Sequence, residues 1–214
     1  SFYFKKKLNK EALIDYFSLG FIREPKTILE NVEVLEPGYF LIYKNNQLVK
    51  KNYFELKNIF TNQNKEIDIE IEKSVMKHYT NEVSSCLFLS SGIDSNLILA
   101  ILKKNNIKIP TISISFENFR SDAKISNEGQ IIKNICNEHK IENHHSLITK
   151  DLIKEYDNQF YKEMDQPTTD GLNSFIVSKI AKQMNHKVAY SGLGGGELFC
   201  DYGTLKKIKF IYNI

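Results

Sequence analysis

Residues 87–100 read LFLSSGIDSNLILA, an apolar run that breaks into serine, glycine and aspartate and then resumes an apolar pattern with helical spacing. Such a run reads as a buried strand whose carboxyl end opens a loop and then a helix. In an open α/β sheet, ligands collect at the carboxyl ends of strands, where the unpaired N–H groups of the next helix point into the crevice. Ser90, Ser91 and Gly92 are small enough to let an anion approach the backbone. The helix N-terminus adds partial positive charge, and the Ser90, Ser91 and Ser95 hydroxyls add donors. Polyphosphate is the natural guest. Asp94 would repel a bare phosphate, so a magnesium ion linking its carboxylate, through water, to phosphate oxygens is expected. The simpler reading is a tight turn before a helix N-capped by Asp94 or Ser95. Neither the Gly-Lys-Ser/Thr of a P-loop nor the G-x-G-x-x-G of a dinucleotide loop is present.

Outward from this stretch, short apolar runs alternate with amphipathic segments. The pattern predicts helices at 67–77, 96–104, 127–139, 151–162 and 174–184, and strands at 85–90, 111–115, 144–147 and 187–191. This is the signature of an α/β fold, a parallel sheet with helices on both faces. Polar residues 57–65 (KNIFTNQNK) mark a linker, and the domain boundary is set at 60/61. Residues 1–60 read instead as a small α+β segment. Asn9 caps a helix over 10–17, and Glu36-Pro37-Gly38 introduces a strand over 39–43. Asn45-Asn46 then turns the chain into a second strand, a hairpin signal. The aromatics of this segment, among them Phe17, Phe40, Tyr43 and Tyr53, lack an accompanying basic stripe and are expected in a core rather than stacked on bases.

Bulk composition excludes several classes. The 214 residues are 42% hydrophobic, enough for a globular core, and 29 basic against 26 acidic residues give a formal charge of only +3. No basic face argues for nucleic acid, and no apolar run approaches the roughly 20 residues needed to span a bilayer. Cys86, Cys136 and Cys200 fit no disulfide framework and no zinc-ligand spacing, so a reducing, cytoplasmic setting is expected. The chain begins with Ser1 and stops at KKIKFIYNI, so both ends read as cut.

A second glycine-rich loop follows the last strand, in SGLGGGELFCDY over 191–202, and two such loops would share one crevice. The hexapeptide SSGIDS resembles the SGGxDS loop of the PP-loop ATP pyrophosphatases, of adenine nucleotide alpha-hydrolase-like fold. With the second loop, the whole chain is similar to the asparagine synthetase (glutamine-hydrolysing) family. That family carries SG-acid-GG/S-DE-x-FGGY, and Ser191-Gly192, Gly194-Gly195, Glu197, Phe199 and Tyr202 fall into register with it. The stretches SFENFRSDAKISNEGQ, KIENHH and MDQPTTDGLNSFIVSKIAK also resemble it. Residues 12–43 resemble the end of the class II glutaminase domain, an N-terminal nucleophile fold, that precedes the synthetase domain.

The resemblance implies that ATP and aspartate form β-aspartyl adenylate and pyrophosphate, and that ammonia from glutamine then displaces AMP. Carried over by position, Leu89 and Ile114 would border the adenine or ribose, and Ser90, Ser91, Gly92, Ile93, Asp94 and Ser95 would hold pyrophosphate. Asp94 would take magnesium, Ser191 and Gly192 would contact the nucleotide through their backbone, and Glu197 would sit by the metal or the substrate. A homodimer is common in the family. Departures accompany the match: Leu193 and Gly196 stand where acids are expected, and Cys200-Asp201 replaces a glycine pair. The N-terminal cysteine nucleophile of the glutaminase and the long helical continuation are missing. The expectation is therefore an incomplete copy, binding Mg-ATP weakly at best and making no asparagine. The alternatives are a related adenylating amidotransferase or β-lactam-synthetase-like enzyme acting on another acid, and a non-catalytic remnant. His144-His145, on opposite faces of a strand, are expected to be structural rather than a metal pair.

Overall fold

A computed structural model describes residues 6–55, 66–117, 128–169 and 171–199. Two compact units divide them, one within Ser1–Lys65 and Phe160–Leu172, the other within Glu66–Gln159 and Asn173–Ile214. The expected linker and the 60/61 boundary lie outside the described residues.

In the first unit, helix α1 (Lys10–Leu19) starts where Asn9 Oδ1 accepts from the backbone N–H groups of Glu11 and Ala12 at 3.0 and 3.2 Å. It ends at Gly20, whose φ of 81° is left-handed and whose N–H closes on the Tyr16 carbonyl. Strands β1 (Tyr39–Lys44) and β2 (Gln47–Asn52) form an antiparallel hairpin. Its turn residues Asn45 and Asn46 are both left-handed (φ 53° and 57°), as a type I′ turn demands and as asparagine tolerates. The expected aromatic core is not found here: Phe17 is 81% and Tyr43 71% exposed, and both faces of the hairpin are open. Two strands alone have no covered face on which to bury aromatic rings. Residues Phe160–Leu172 join this unit by sequence-distant hydrogen bonds, with Gln166 Oε1 accepting from Ile28 N and Thr169 N donating to the Gly20 carbonyl.

The second unit holds a four-stranded parallel sheet of β3 (Ser85–Phe88), β4 (Thr111–Phe116), β5 (Asn143–Ile148) and β6 (Val188–Tyr190), ordered β5-β4-β3-β6. It is flanked by α2 (Ile67–His78), α3 (Ile93–Lys104), α4 (Glu128–His139), α5 (Lys150–Glu163, whose residues from Phe160 on count with the first unit) and α6 (Leu172–Gln183, from Asn173 on), and followed by the short α7 (Gly195–Phe199). The fold is the expected α/β class. Its core joins Leu87 and Leu89 to Leu99 and Leu102 of α3 and to Ile132 and Cys136 of α4. The buried Cys86 and Cys136 thiols are free, and burial pushes Cys86 up to about 11, so both act as small apolar groups.

One expected boundary moves with a consequence for the site. The helix predicted from residue 96 starts at Ile93, with Gly92 (φ −71°, ψ 154°) as its N-cap. Neither Asp94 nor Ser95 caps it, because both already lie inside its first turn. The strand order places a switch in direction between β3 and β6: from β3 the chain builds outward through β4 and β5, then returns to β3's other edge. Such a point opens a crevice at the carboxyl ends of the two strands.

Candidate nucleotide-binding site

Both glycine-bearing loops emerge at this switch point, residues 89–92 after β3 and 191–194 after β6. The first is braced from within. Ser95, 4% exposed, accepts from Ser90 N at 3.1 Å, lies 3.1 Å from Ser90 Oγ, and reaches the Ser90 and Gly92 carbonyls at 3.3 Å. Asn96 Nδ2 donates to the same two carbonyls at 3.0 and 2.7 Å. Ser95 and Asn96 thus hold the shape of the loop. Ser91 keeps a negative φ, so serine costs nothing where the resembled motif has glycine.

The second loop lies directly on the start of α3. A methyl group on Gly192 would sit 2.8 Å from both Asp94 Cβ and the Ser95 nitrogen. One on Gly195 would sit 2.5 and 2.7 Å from the two Asp94 carboxylate oxygens. No side chain fits at either position. Gly194, with φ 97°, supplies the left-handed turn between them. The two loops therefore converge on the Asp94 carboxylate.

Between them opens a cavity of about 380 Å³. Of the residues expected at the site, Leu89, Ser90, Gly92, Asp94, Ser95, Ile114, Ser191 and Gly192 line it. Ser91 and Ile93 instead line a separate hollow with Asn96, Lys103 and His139. Glu197 lies exposed on α7, outside the cavity lining. The structure adds Ser113, Ser115, Glu128, Asn173 and Ser174 to the wall. Glu128, the first residue of α4, accepts from Ser91 through one oxygen, from the backbone N at 3.3 Å and from Oγ at 3.1 Å. A carboxylate of the chain itself thus occupies part of the donor set of the first loop. The alternation in TISIS hinted at the serine pair by placing both on one face, but no local signal ties Glu128 to Ser91, 37 residues away.

A family model described as asparagine synthase matches residues 66–212. This chain belongs to the asparagine synthase family. It is 32% identical over 212 residues to asparagine synthetase [glutamine-hydrolyzing] 1 of Bacillus subtilis (strain 168), covering 94% of this chain and 32% of that protein. Over 211 residues it is 29% identical to putative asparagine synthetase [glutamine-hydrolyzing] 2 of Methanocaldococcus jannaschii, covering 94% of this chain and 40% of that protein. A putative asparagine synthetase [glutamine-hydrolyzing] of Mycobacterium bovis is 29% identical over 215 residues, covering 93% of this chain and 31% of the relative. The chain spans between 31% and 40% of the length of these relatives. Within this asparagine synthase domain, Leu193 is 87% exposed at the rim of the cavity and Gly196 lies in α7. Cys200, Asp201 and Tyr202 fall outside the described residues, and no described helix is long and apolar enough to cross a membrane.

Proposed function

We propose that this chain carries the ATP site of a glutamine-dependent asparagine synthetase. In that reaction the β-carboxylate of aspartate attacks the α-phosphorus of ATP, pyrophosphate leaves, and ammonia derived from glutamine displaces AMP from the acyl carbon. The observation that carries the reading is the contact of Gly192 and Gly195 with Asp94, because it brings two small-residue loops onto one carboxylate at the mouth of the sheet. We assign pyrophosphate to the loop 90–95, with Ser90 and Gly92 facing the ligand and Ser95 bracing the turn. The apolar wall of Leu89 and Ile114 suits adenine or ribose, and Ser191 and Gly192 meet the nucleotide through their backbone.

Asp94 also fits a magnesium ion carried by the nucleotide. Such an ion needs only one or two protein carboxylates beside phosphate oxygens and water, and among the described residues no group of three or more His, Cys, Asp or Glu could cage one. When bound, the ion neutralises phosphate charge. Asp94 would hold it, and Glu197, on the short helix whose first residue abuts Asp94, is the second acid assigned to the metal or the substrate. Residues 1–60 are assigned to the end of a class II glutaminase domain, with 61–214 as the synthetase domain.

Leu193 and Gly196 replace two acids of the resembled motif, and this favours weak nucleotide binding without conversion of aspartate. The same replacements support a second reading, an adenylating enzyme for another carboxylic acid. ATP–pyrophosphate exchange, screened over carboxylic acids, tests both. No exchange with aspartate but exchange with another acid favours the second reading. Aspartate-dependent exchange that is lost in Asp94→Ala establishes adenylation of aspartate at this site and overturns the inference that the chain does not activate it. Absence of nucleotide binding to the folded, complete protein favours a non-catalytic remnant.

A further inference from the structure

Part of the cavity wall is formed by β4, and β4 pairs with β5 so that Ser113 faces His145 and Ser115 faces Leu147. The His145 side chain reaches back across this pairing. Its Nδ1 lies 3.0 Å from Ser113 Oγ and its Nε2 lies 2.9 Å from Ser115 Oγ. Both serines line the cavity. Ser113 is only 1% exposed and is held in turn by the Asn143 amide at 3.2 Å, whereas Ser115 is only partly buried. Gly129 of α4 leaves room for the ring, because a methyl there would lie 3.2 Å from Cε1 and 3.3 Å from Nε2.

The chemistry of the ring gives this arrangement a consequence. A neutral imidazole has one donor nitrogen and one acceptor nitrogen, so its two hydroxyl partners cannot be equivalent. One serine gives its proton to the ring. The other receives the ring N–H and keeps its own hydrogen for another acceptor. The buried Ser113, tied to Asn143, orients the ring through Nδ1, and Nε2 then dictates whether Ser115 offers the cavity a hydrogen or a lone pair. The cavity wall that holds Ser115 combines apolar Phe88, Leu89, Ile112, Ile114, Phe116 and Val177 with polar Ser113, Glu128, Asn173 and Ser174. A largely apolar wall that carries an oriented hydroxyl suits a flat base or a sugar better than a phosphate.

We propose that His145 is a positioning residue for the nucleoside end of the cleft, acting through Ser115. This inference rests on the nucleotide reading of the cavity. It is tested by calorimetric titration of the protein with AMP and, separately, with magnesium pyrophosphate. Ser115→Ala and His145→Ala are expected to weaken AMP binding about five- to tenfold, the loss of one well-oriented hydrogen bond. Both should leave pyrophosphate binding unchanged. Glutamine places its amide nitrogen where Nε2 stands and asparagine places its own where Nδ1 stands, so His145→Gln should restore AMP binding and His145→Asn should not. The inference falls if His145→Ala binds AMP as the wild type does. It also falls if that variant loses AMP and pyrophosphate together, which marks a merely structural role, or if Asn and Gln rescue equally. A wild-type protein that binds pyrophosphate but not AMP removes this inference alone, whereas one that binds neither removes the nucleotide reading with it.

Discussion

The Asp94 carboxylate sits where two loops meet, and its surroundings exclude side chains at 192 and 195. Gly195→Ala would push a methyl group against both oxygens, so the second loop must retreat. We expect pyrophosphate affinity to fall at least roughly tenfold, equivalent to about 1.4 kcal/mol, with melting of the sheet unchanged. Calorimetry beside circular dichroism checks both halves. Glu128 makes the opposite prediction. Its carboxylate occupies the Ser91 N–H and hydroxyl, as a phosphate oxygen would, so Glu128→Gln should strengthen binding of pyrophosphate several-fold by removing a competing negative charge. Weaker binding in that variant would show that Glu128 serves the ligand rather than competes with it. At this scale the sequence was legible where structure is local: SSGIDS announced a tight loop of small residues between a strand and a helix, and that loop lines the cavity. It was silent on Glu128 and His145. Their partners lie 37 and about 30 residues away and meet them only through the fold.

Among the elements, α1 illustrates a local rule that held. Asn9 caps it as expected, and Asn9→Ala should cost about 1 kcal/mol in the stability of the N-terminal unit, measured by denaturant unfolding. Further along the same helix, buried Asp15 pairs with Arg23 at 2.8 Å and with Lys26 at 2.6 Å. Hydrogen bonds from Arg23, then Lys26, hold its carboxyl down at about 2, below its ordinary 3.8. Because the folded value is the lower one, this stabilisation is present above the ordinary value and is lost as pH falls through it toward about 2. Thermal melts should show acid destabilisation across that window in the wild type and a flatter dependence in Asp15→Asn. In α3 the local rules gave the wrong start. Ile93, Asp94 and Ser95 follow a glycine and read as loop, yet Gly92 adopts the extended N-cap conformation and the first helical turn begins at once. What fixes that turn is the internal network of Ser95. Removing its hydroxyl in Ser95→Ala takes away the acceptor of the Ser90 N–H, while the Ser90 carbonyl keeps Asn96, a cost of about 1 kcal/mol.

For the molecule as a whole, alternating apolar runs and amphipathic segments sufficed to identify a parallel α/β unit, because its strands are short and alternate with helices, although the edge strand β5 (NHHSLI) is largely polar. Strand order could not be read in the same way. The sequence β5-β4-β3-β6 is decided by which faces bury together, and only that order sets β6 beside β3 and opens the crevice between their loops. Nor was the exposure of the N-terminal aromatics legible, since composition counts them without saying whether a second layer covers them. The central claim is that both glycine loops serve one Mg-ATP site anchored on Asp94. Calorimetric titration of Mg-ATP into the wild-type protein and into Asp94→Ala tests it most directly. The account predicts weak but measurable binding that disappears in the variant while the fold persists. Equal affinity in the two proteins, or no binding to a folded wild type, would contradict it.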